Sequence, residues 1–310
     1  MQTFRQLPKL TQLRHLITLS EHCHFGKAAE SCFITQSSLS TSIKELESIL
    51  GGVLVERTRR SVIMTTLGEE VVKRAHKVVT DVEDLTDLVN AEREPLTGTL
   101  RLGAIPTIAP YLLPQVLPQI RAAYPDLKLY LREERSADLV KHLISGELDL
   151  LILAFPYPTP DLETMMIAND PFWVAYPPGR SNANRTAVKP KSLKNEPLLV
   201  LEEGNCLRDH VLSACHLNTK SENVDFQASS LHTLIQMVDN DLGVTLIPEM
   251  AINAGIATKT GTTLLPLEGI EASRDIGFVW RPTSARKQEI SLLAKFFSNE
   301  LKSAPIFTQT

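Results

Sequence analysis

Apolar and polar positions over the first 65 residues fall into helical spacing three times. Leu13, Leu16, Ile17 and Leu19 mark a first helix that Thr11 is placed to cap and that ends near Glu21. Phe25, Ala28, Ala29 and Cys32 give a short second helix a narrow apolar face. From Thr35 a third helix sets Leu39, Ile43, Leu46 and Leu50 on one side and Ser37, Ser38, Thr41, Lys44 and Glu45 on the other. Small hydroxyls and an amide, Gln36, near a helix N-terminus reach base edges and phosphates in a major groove without steric conflict. After Gly51-Gly52, Val53 to Arg57 and Ser61 to Met64 flank Thr58-Arg59-Arg60, the pattern of a hairpin with cations at its tip. Helix, turn, helix and basic wing predict a DNA-docking head over residues 1–65. Thr35, Gln36, Ser37, Ser38, Thr41 and Lys44 would face bases and backbone, and Arg57, Arg59 and Arg60 would hold phosphates. A three-helix bundle without a DNA role is the plainer alternative, but a merely solvated face more often carries Lys/Glu pairs than a run of Ser and Thr.

Thr66 followed by Glu69 and Glu70 starts a long helix, assigned to residues 66–96 as a linker. Val71, Ala75, Val78, Val82, Leu85 and Val89 are spaced 4, 3, 4, 3 and 4, a heptad seam that calls for a partner helix and so for dimerisation. At 1.5 Å per residue such a helix spans on the order of 40 Å.

Residues 97–310 read as short strands and helices in alternation. Thr99 to Gly103, Leu127 to Leu131 and Leu148 to Ala154 are strands, with helices over 106–124 and 137–144 between them. A second unit follows, with strands at Phe172 to Ala175, Leu198 to Leu201 and Val244 to Ile247 and a helix at Leu231 to Val238. The chain then returns to the first unit near Ile276 to Trp280 and ends on the helix Gln288 to Leu301. The alternation predicts a parallel sheet with helices on both faces, in two lobes (about 97–168 with 276–310, and about 169–275) around a cleft suited to a ligand.

Charge supports this division. The net charge of −4 hides eight Lys/Arg against five acids in residues 1–65, a local +3 that leaves −7 on the remainder. A basic head on an acidic body suits a DNA-binding regulator, since phosphate attraction needs only a local patch. No apolar run approaches the roughly 20 residues of a membrane span, and Met1-Gln-Thr-Phe-Arg is no secretory start, so the cytoplasm is the expected compartment. With 43% hydrophobic and 22% charged residues and a mean hydropathy of −0.04, the chain reads as soluble and globular. No phosphate-binding glycine loop or nucleophile elbow appears, so an enzyme is not expected, nor is any cofactor. His22 and His24 near Cys23 are a weak metal signal, and no metal site is assigned.

Four cysteines in a reducing compartment are too few for a disulfide scaffold. Cys23 and Cys32 have nothing basic around them and read as core packing. Cys206 and Cys215 flank a helix that Asn205 can cap, with Leu207, Val211 and Ala214 as its apolar stripe. Cys206 in the first turn, with Arg208 nearby, is placed to ionise and to attack a peroxide. Nine helical residues turn the two sulfurs to opposite sides about 13.5 Å apart along the axis, beyond the roughly 7 Å between Cα atoms that a disulfide allows. Joining them must therefore unwind the segment; the alternative is two small buried hydrophobes.

Phe25-Gly-Lys-Ala-Ala-Glu, Thr35-Gln-Ser-Ser-Leu-Ser, Ile43-Lys-Glu-Leu-Glu and Val55-Glu-Arg-Thr resemble the N-terminal signature of LysR-type transcriptional regulators. Leu113-Pro, Gly146-Glu-Leu-Asp and Gly243-Val-Thr-Leu-Ile-Pro are similar to that family's effector domain. Ser37 departs from the proline often found there, with little consequence expected. Gly204-x-Cys206-Leu-x-Asp209 with Cys215 resembles the hydrogen-peroxide-sensing OxyR branch. The resemblance implies an α/β fold with an N-terminal all-α winged helix-turn-helix, a long linker helix, and a two-lobed Rossmann-like, periplasmic-binding-protein-like regulatory domain. It implies a transcriptional activator that binds double-stranded DNA as a homodimer through the linker helix and as a homotetramer, working with RNA polymerase. It implies that Cys206 becomes sulfenic acid, that Cys215 resolves it to a disulfide, and that Thr107, Ser136, Asn205, Asp209 and Arg274 hold the peroxide. Asn205 stands where these regulators commonly have histidine and cannot titrate, so oxidation should follow the ionisation of Cys206 alone. A LysR-type regulator sensing a small metabolite in the cleft, or a thiol peroxidase, are the alternatives.

Overall fold

The computed structural model describes residues 6–57, 62–91, 95–180, 186–215, 227–269 and 272–303. They form two compact units, the first reaching to Asn90 and the second running from Ala91 onward, apart from residues Ile144–Glu147, which group with the first.

In the first unit, α1 (Leu10–His22), α2 (Phe25–Ser31) and α3 (Gln36–Leu50) enclose Leu16, Leu19, Phe25, Ala28, Ala29, Leu39, Ile43 and Leu46. Thr11 does not cap α1. The cap is Lys9, two residues earlier, where the Lys9 amide donates to Gln12 Oε1 at 2.9 Å, and the buried Gln12 also donates through Nε2 to Glu45 Oε2 at 3.1 Å, tying α1 to α3. Leu50 leaves the predicted core face and is 39% exposed, next to Gly51, whose left-handed backbone ends the helix. The hairpin of β1 (Val55–Arg57) and β2 (Val62–Met64) pairs Val55 with Met64. Arg59 and Arg60 lie outside the described residues, as does the Arg57 side chain.

The long helix α4 (Thr66–Ala91) leaves the wing at Gly68, where a Cβ would fall 2.1 Å from the Leu54 carbonyl oxygen, so only glycine permits this approach. The heptad seam divides. Ala75 packs with Ile17 of α1, joined by Val79, and Val71 lies against the head core. Val78, Val82 and Leu85 stay 45%, 39% and 65% exposed, and the side chain of Val89 is outside the described residues.

The second unit opens with β3 (Gly98–Ala104), α5 (Ala109–Ala123), β4 (Leu127–Glu133), α6 (Ser136–Ser145) and β5 (Leu150–Phe155). β3 lies between β4 and β5, parallel to both. After these come β6 (Glu163–Tyr176), β7 (Val200–Leu201), α7 (Cys206–Ala214), β8 (Gln227–Ala228), α8 (Leu231–Asp239), β9 (Thr245–Pro248), α9 (Glu249–Asn253), β10 (Thr263–Pro266), β11 (Ser273–Trp280) and α10 (Lys287–Ser303). The main sheet runs β10-β6-β11-β5-β3-β4, with β9 also on β6. The prediction of a parallel sheet needs correction here: β11 runs antiparallel to both β5 and β6, and β9 and β10 are antiparallel to β6. β6 joins the halves, pairing with β11 over Glu163 to Pro171 and with β9 and β10 over Phe172 to Tyr176.

Candidate functional site

The two parallel strands β3 and β4 end at Ala104 and Glu133, and each delivers a hydroxyl just beyond its carboxyl end: Thr107 ahead of α5 and Ser136 as the first residue of α6. Ligands of open α/β sheets bind at such strand ends. Both residues are 2% exposed. Thr107 is held by Arg274, whose Nη1 donates to Thr107 Oγ1 at 3.0 Å and Nη2 to its carbonyl at 2.9 Å. Ser136 Oγ lies against the Cys206 sulfur, and no nitrogen or oxygen engages this buried hydroxyl.

Arg274 reaches this position because β11 and β6 place it directly opposite Asp170. Both side chains are fully buried, with Arg274 Nη2 2.9 Å and Nε 3.0 Å from Asp170 Oδ2, while Asp170 Oδ1 accepts the Met250 amide at 2.9 Å. Burial pushes the Asp170 carboxyl up, and the guanidinium with the Met250 amide draws it back toward the charged form. Asp170 escaped sequence reasoning. Its one signal is a carboxylate in Ala168-Asn169-Asp170-Pro171, within the run leading into a buried strand.

Cys206 is the first residue of α7, behind the Asn205 cap, whose Oδ1 accepts the Leu207 amide at 3.3 Å. Cys206 is 5% exposed, and burial pushes its thiol above the ordinary cysteine value; Ser136 and Arg274 act in the opposite direction and Asp209 adds to the rise. The expected helix-end thiolate beside Arg208 is therefore corrected on two points. Burial favours the thiol over the thiolate, and the cation acting on the sulfur is Arg274, because Arg208 turns away to donate to the Leu201 carbonyl at 3.2 Å. Asp209 is exposed and acts on the sulfur only through its charge. Cys215 closes the other end of α7, fully buried, its pKa pushed up to about 12 by burial; both thiols are free. Arg135 was also missed: it donates to Glu202 Oε2 at 3.0 Å and to the Glu203 carbonyl at 3.2 Å, tying the start of α6 to the loop before Cys206.

On the head, Gln36, Ser37, Ser38, Thr41 and Lys44 are exposed on α3. Thr35 spends its hydroxyl as the cap, accepting the Ser38 amide at 3.2 Å and lying 2.9 and 2.8 Å from the Ser37 and Ser38 hydroxyls. The core-packing reading of Cys23 fails: it ends α1 with φ 46° and is exposed, while Cys32 is half-buried. His24 Nδ1 accepts the Gly26 and Lys27 amides at 3.0 and 3.2 Å, and His22 Nε2 lies 2.8 Å from Ser31 Oγ. Among the described residues, no helix is long and apolar enough to cross a membrane.

Residues 10–69 match the bacterial regulatory helix-turn-helix protein, lysR family, and residues 93–302 match the LysR substrate binding domain. The chain is 41% identical to the HTH-type transcriptional regulator EstR of Acinetobacter baylyi, over 93% of this chain and 95% of that one. It is 36% identical to the DNA-binding transcriptional dual regulator OxyR of Escherichia coli, over 92% and 93% respectively. A full-length OxyR variant from Pseudomonas aeruginosa superposes with a TM-score of 0.79 at 33% identity, covering 94% of this chain and 98% of that one. A hydrogen-peroxide-bound cysteine mutant of Corynebacterium glutamicum OxyR gives 0.66 at 32% identity, covering 96% and 94%. With both domain families matched in order and these relatives spanning nearly its whole length, the chain belongs to the LysR family of DNA-binding transcriptional regulators and is a relative of the OxyR proteins.

Proposed function

We propose that this regulator senses hydrogen peroxide through Cys206 and is switched by a Cys206–Cys215 disulfide. One observation carries the reading: at the head of α7 a buried sulfur faces the unengaged Ser136 hydroxyl, within the field of an Arg274 fixed by Asp170 and Thr107. A buried hydroxyl and a fixed cation suit a small polar oxidant that must be desolvated and oriented. Sulfur attacks one peroxide oxygen, the S–O bond forms as O–O breaks, and one water leaves with Cys206 as sulfenic acid. The Cys215 thiol then displaces the sulfenic oxygen as a second water, giving the disulfide. Because the cysteines stand at opposite ends of α7, this second step requires the helix to unwind, and the unwinding is the signal.

The head, residues 1–65, docks α3 in the major groove, with Arg57, Arg59 and Arg60 on phosphates. The linker, 66–96, dimerises through the bare stripe Val78, Val82 and Leu85, and two dimers form a homotetramer that works with RNA polymerase in the cytoplasm. Residues 97–310 form the redox-sensing domain, in which Thr107, Ser136, Asn205, Asp209 and Arg274 surround the peroxide.

Non-reducing peptide mapping after one equivalent of peroxide tests the switch. A Cys206–Cys215 crosslink is expected, and the Cys215→Ser variant should trap a dimedone adduct on Cys206. Unchanged thiols in both would overturn the proposal and leave the metabolite-sensing alternative.

A further inference from the structure

His210 stands one turn beyond Cys206 on α7 and is 7% exposed. Its Nε2 lies 2.9 Å from the Pro156 carbonyl, an oxygen that can only accept, so Nε2 carries the proton and Nδ1 presents a lone pair. That Nδ1 is buried and has no hydrogen-bond partner. A polar atom left bare in the interior costs free energy, which makes it a site where chemistry is to be sought. Residues four apart on a helix have Cβ atoms about 5–6 Å apart, and helical side chains lean toward the N-terminus, which sets His210 and Cys206 on the same face of α7, one turn apart. Nδ1 is the ring nitrogen nearer its own helix. The surroundings agree: Arg274 bears on both His210 and Cys206, and Tyr157, next to Pro156, feels the charge of Cys206 and of Asp209.

We propose that His210 is the proton acceptor for Cys206, taking the thiol proton on Nδ1 and returning it to the departing hydroxide. The inference rests on the peroxide-sensing reading above and supplies a step that reading lacks, since a thiol held protonated by burial needs a base before it can attack. The balance closes. The S–H proton moves to Nδ1, the sulfur lone pair attacks one peroxide oxygen, and the O–O bond breaks. The distal oxygen leaves as hydroxide and takes the Nδ1 proton as water; sulfur is oxidised by two electrons and peroxide reduced by two. His210 would thus do from position 210 what the non-titrating Asn205 cannot, and on this proposal the oxidation rate follows His210 as well as Cys206.

The imidazole contacts the Pro156 carbonyl after β5, and the charges that act on it are Arg274 from β11 and Asp209 on its own helix. Burial, with Arg274, holds His210 below the ordinary histidine value, so the base form prevails at neutral pH. The test is stopped-flow oxidation of the reduced full-length protein by hydrogen peroxide from about pH 5 to 10. The unaltered protein should show a rate that falls on the acid side below about pH 6.5 and a flat region above it. In His210→Gln, whose amide can still donate to Pro156, the flat region should become a tenfold rise per pH unit, with a loss of about 100-fold or more at pH 7. Unaltered protein whose rate climbs through neutral pH without an acid-side inflection would overturn the proposal, even if the variant misfolds. So would a folded His210→Gln that keeps the flat region. A Cys206 inert to peroxide at every pH would instead overturn the peroxide reading itself, so the two failures are distinguishable.

Discussion

Asp170→Asn tests the buried pair on which the site is built. The carboxylate accepts two N–H groups, Nε–H of Arg274 and the amide of Met250, with Arg274 Nη2 as a further ion-pair contact at 2.9 Å, and neither it nor the guanidinium has any exposed side-chain surface. Asparagine keeps one oxygen, so it cannot serve Met250 and Arg274 together, and its amide protons would face donors. Leaving a buried guanidinium without its counter-charge costs about 3–5 kcal/mol. The exposed α4 pair Glu70–Arg74, 3.1 Å apart, gives the contrast: Glu70→Gln should cost about 0.3–0.5 kcal/mol. Urea unfolding of the full chain reads the difference, followed for Asp170→Asn by the fluorescence of Trp173 and Trp280, in the strands that hold Asp170 and Arg274, and for Glu70→Gln by far-ultraviolet circular dichroism. Asp170→Leu with Arg274→Met should recover much of the loss, because removing both charges leaves neither uncompensated. A loss below about 1 kcal/mol for Asp170→Asn would refute the reasoning, since it would mean that the guanidinium finds water or another anion.

Arg59→Ala with Arg60→Ala should weaken binding to all DNA sequences and flatten its salt dependence by a slope of about 2, whereas Ser38→Ala should change site preference; titrations at several salt concentrations separate them. Leu85→Asp, at a position 65% exposed on α4, should lower the oligomeric state seen by light scattering while leaving the helical content of the head intact. The reduced protein should be most stable between two losses. Below about pH 6.5 the unfolded chain protonates His210 before the folded one does, and above about pH 8.5 it ionises Cys206 and Cys215 first, so urea midpoints should fall on both sides. His210→Gln should remove part of the acid loss and Cys206→Ser part of the alkaline one.

The helices of the head and the capped helix that Cys206 opens were legible because a period of 3.6 and a capping residue are local signals, visible within a dozen residues. The sheet was legible only where strand followed helix followed strand, as in β3, β4 and β5. The antiparallel placement of β11 was hidden, since Asp275 pairs with Phe155 far back in the chain and no local pattern records a distant partner. Asp170 was hidden for the same reason: its meaning comes from Arg274 across the strand boundary. Cys206 shows the limit of local electrostatics. Sequence places it at a helix N-terminus, which favours thiolate, but desolvation by residues scattered over the chain is the larger effect. Cys23 errs the other way, with its surroundings read as a core although a left-handed turn sets it outside.

The lateness of β11 bears on the protein's own synthesis. Cys206 is translated well before Trp280 completes the strand that fills the space between β5 and β6 and brings Arg274 to Asp170. At about 5–20 residues per second, that interval lasts on the order of 4 to 15 seconds. Throughout it Cys206 belongs to a chain without β11, and so without Arg274 and without the strand that closes the sheet between β5 and β6. A chain still lacking β11 therefore holds Cys206 without the guanidinium that acts on its sulfur in the finished site.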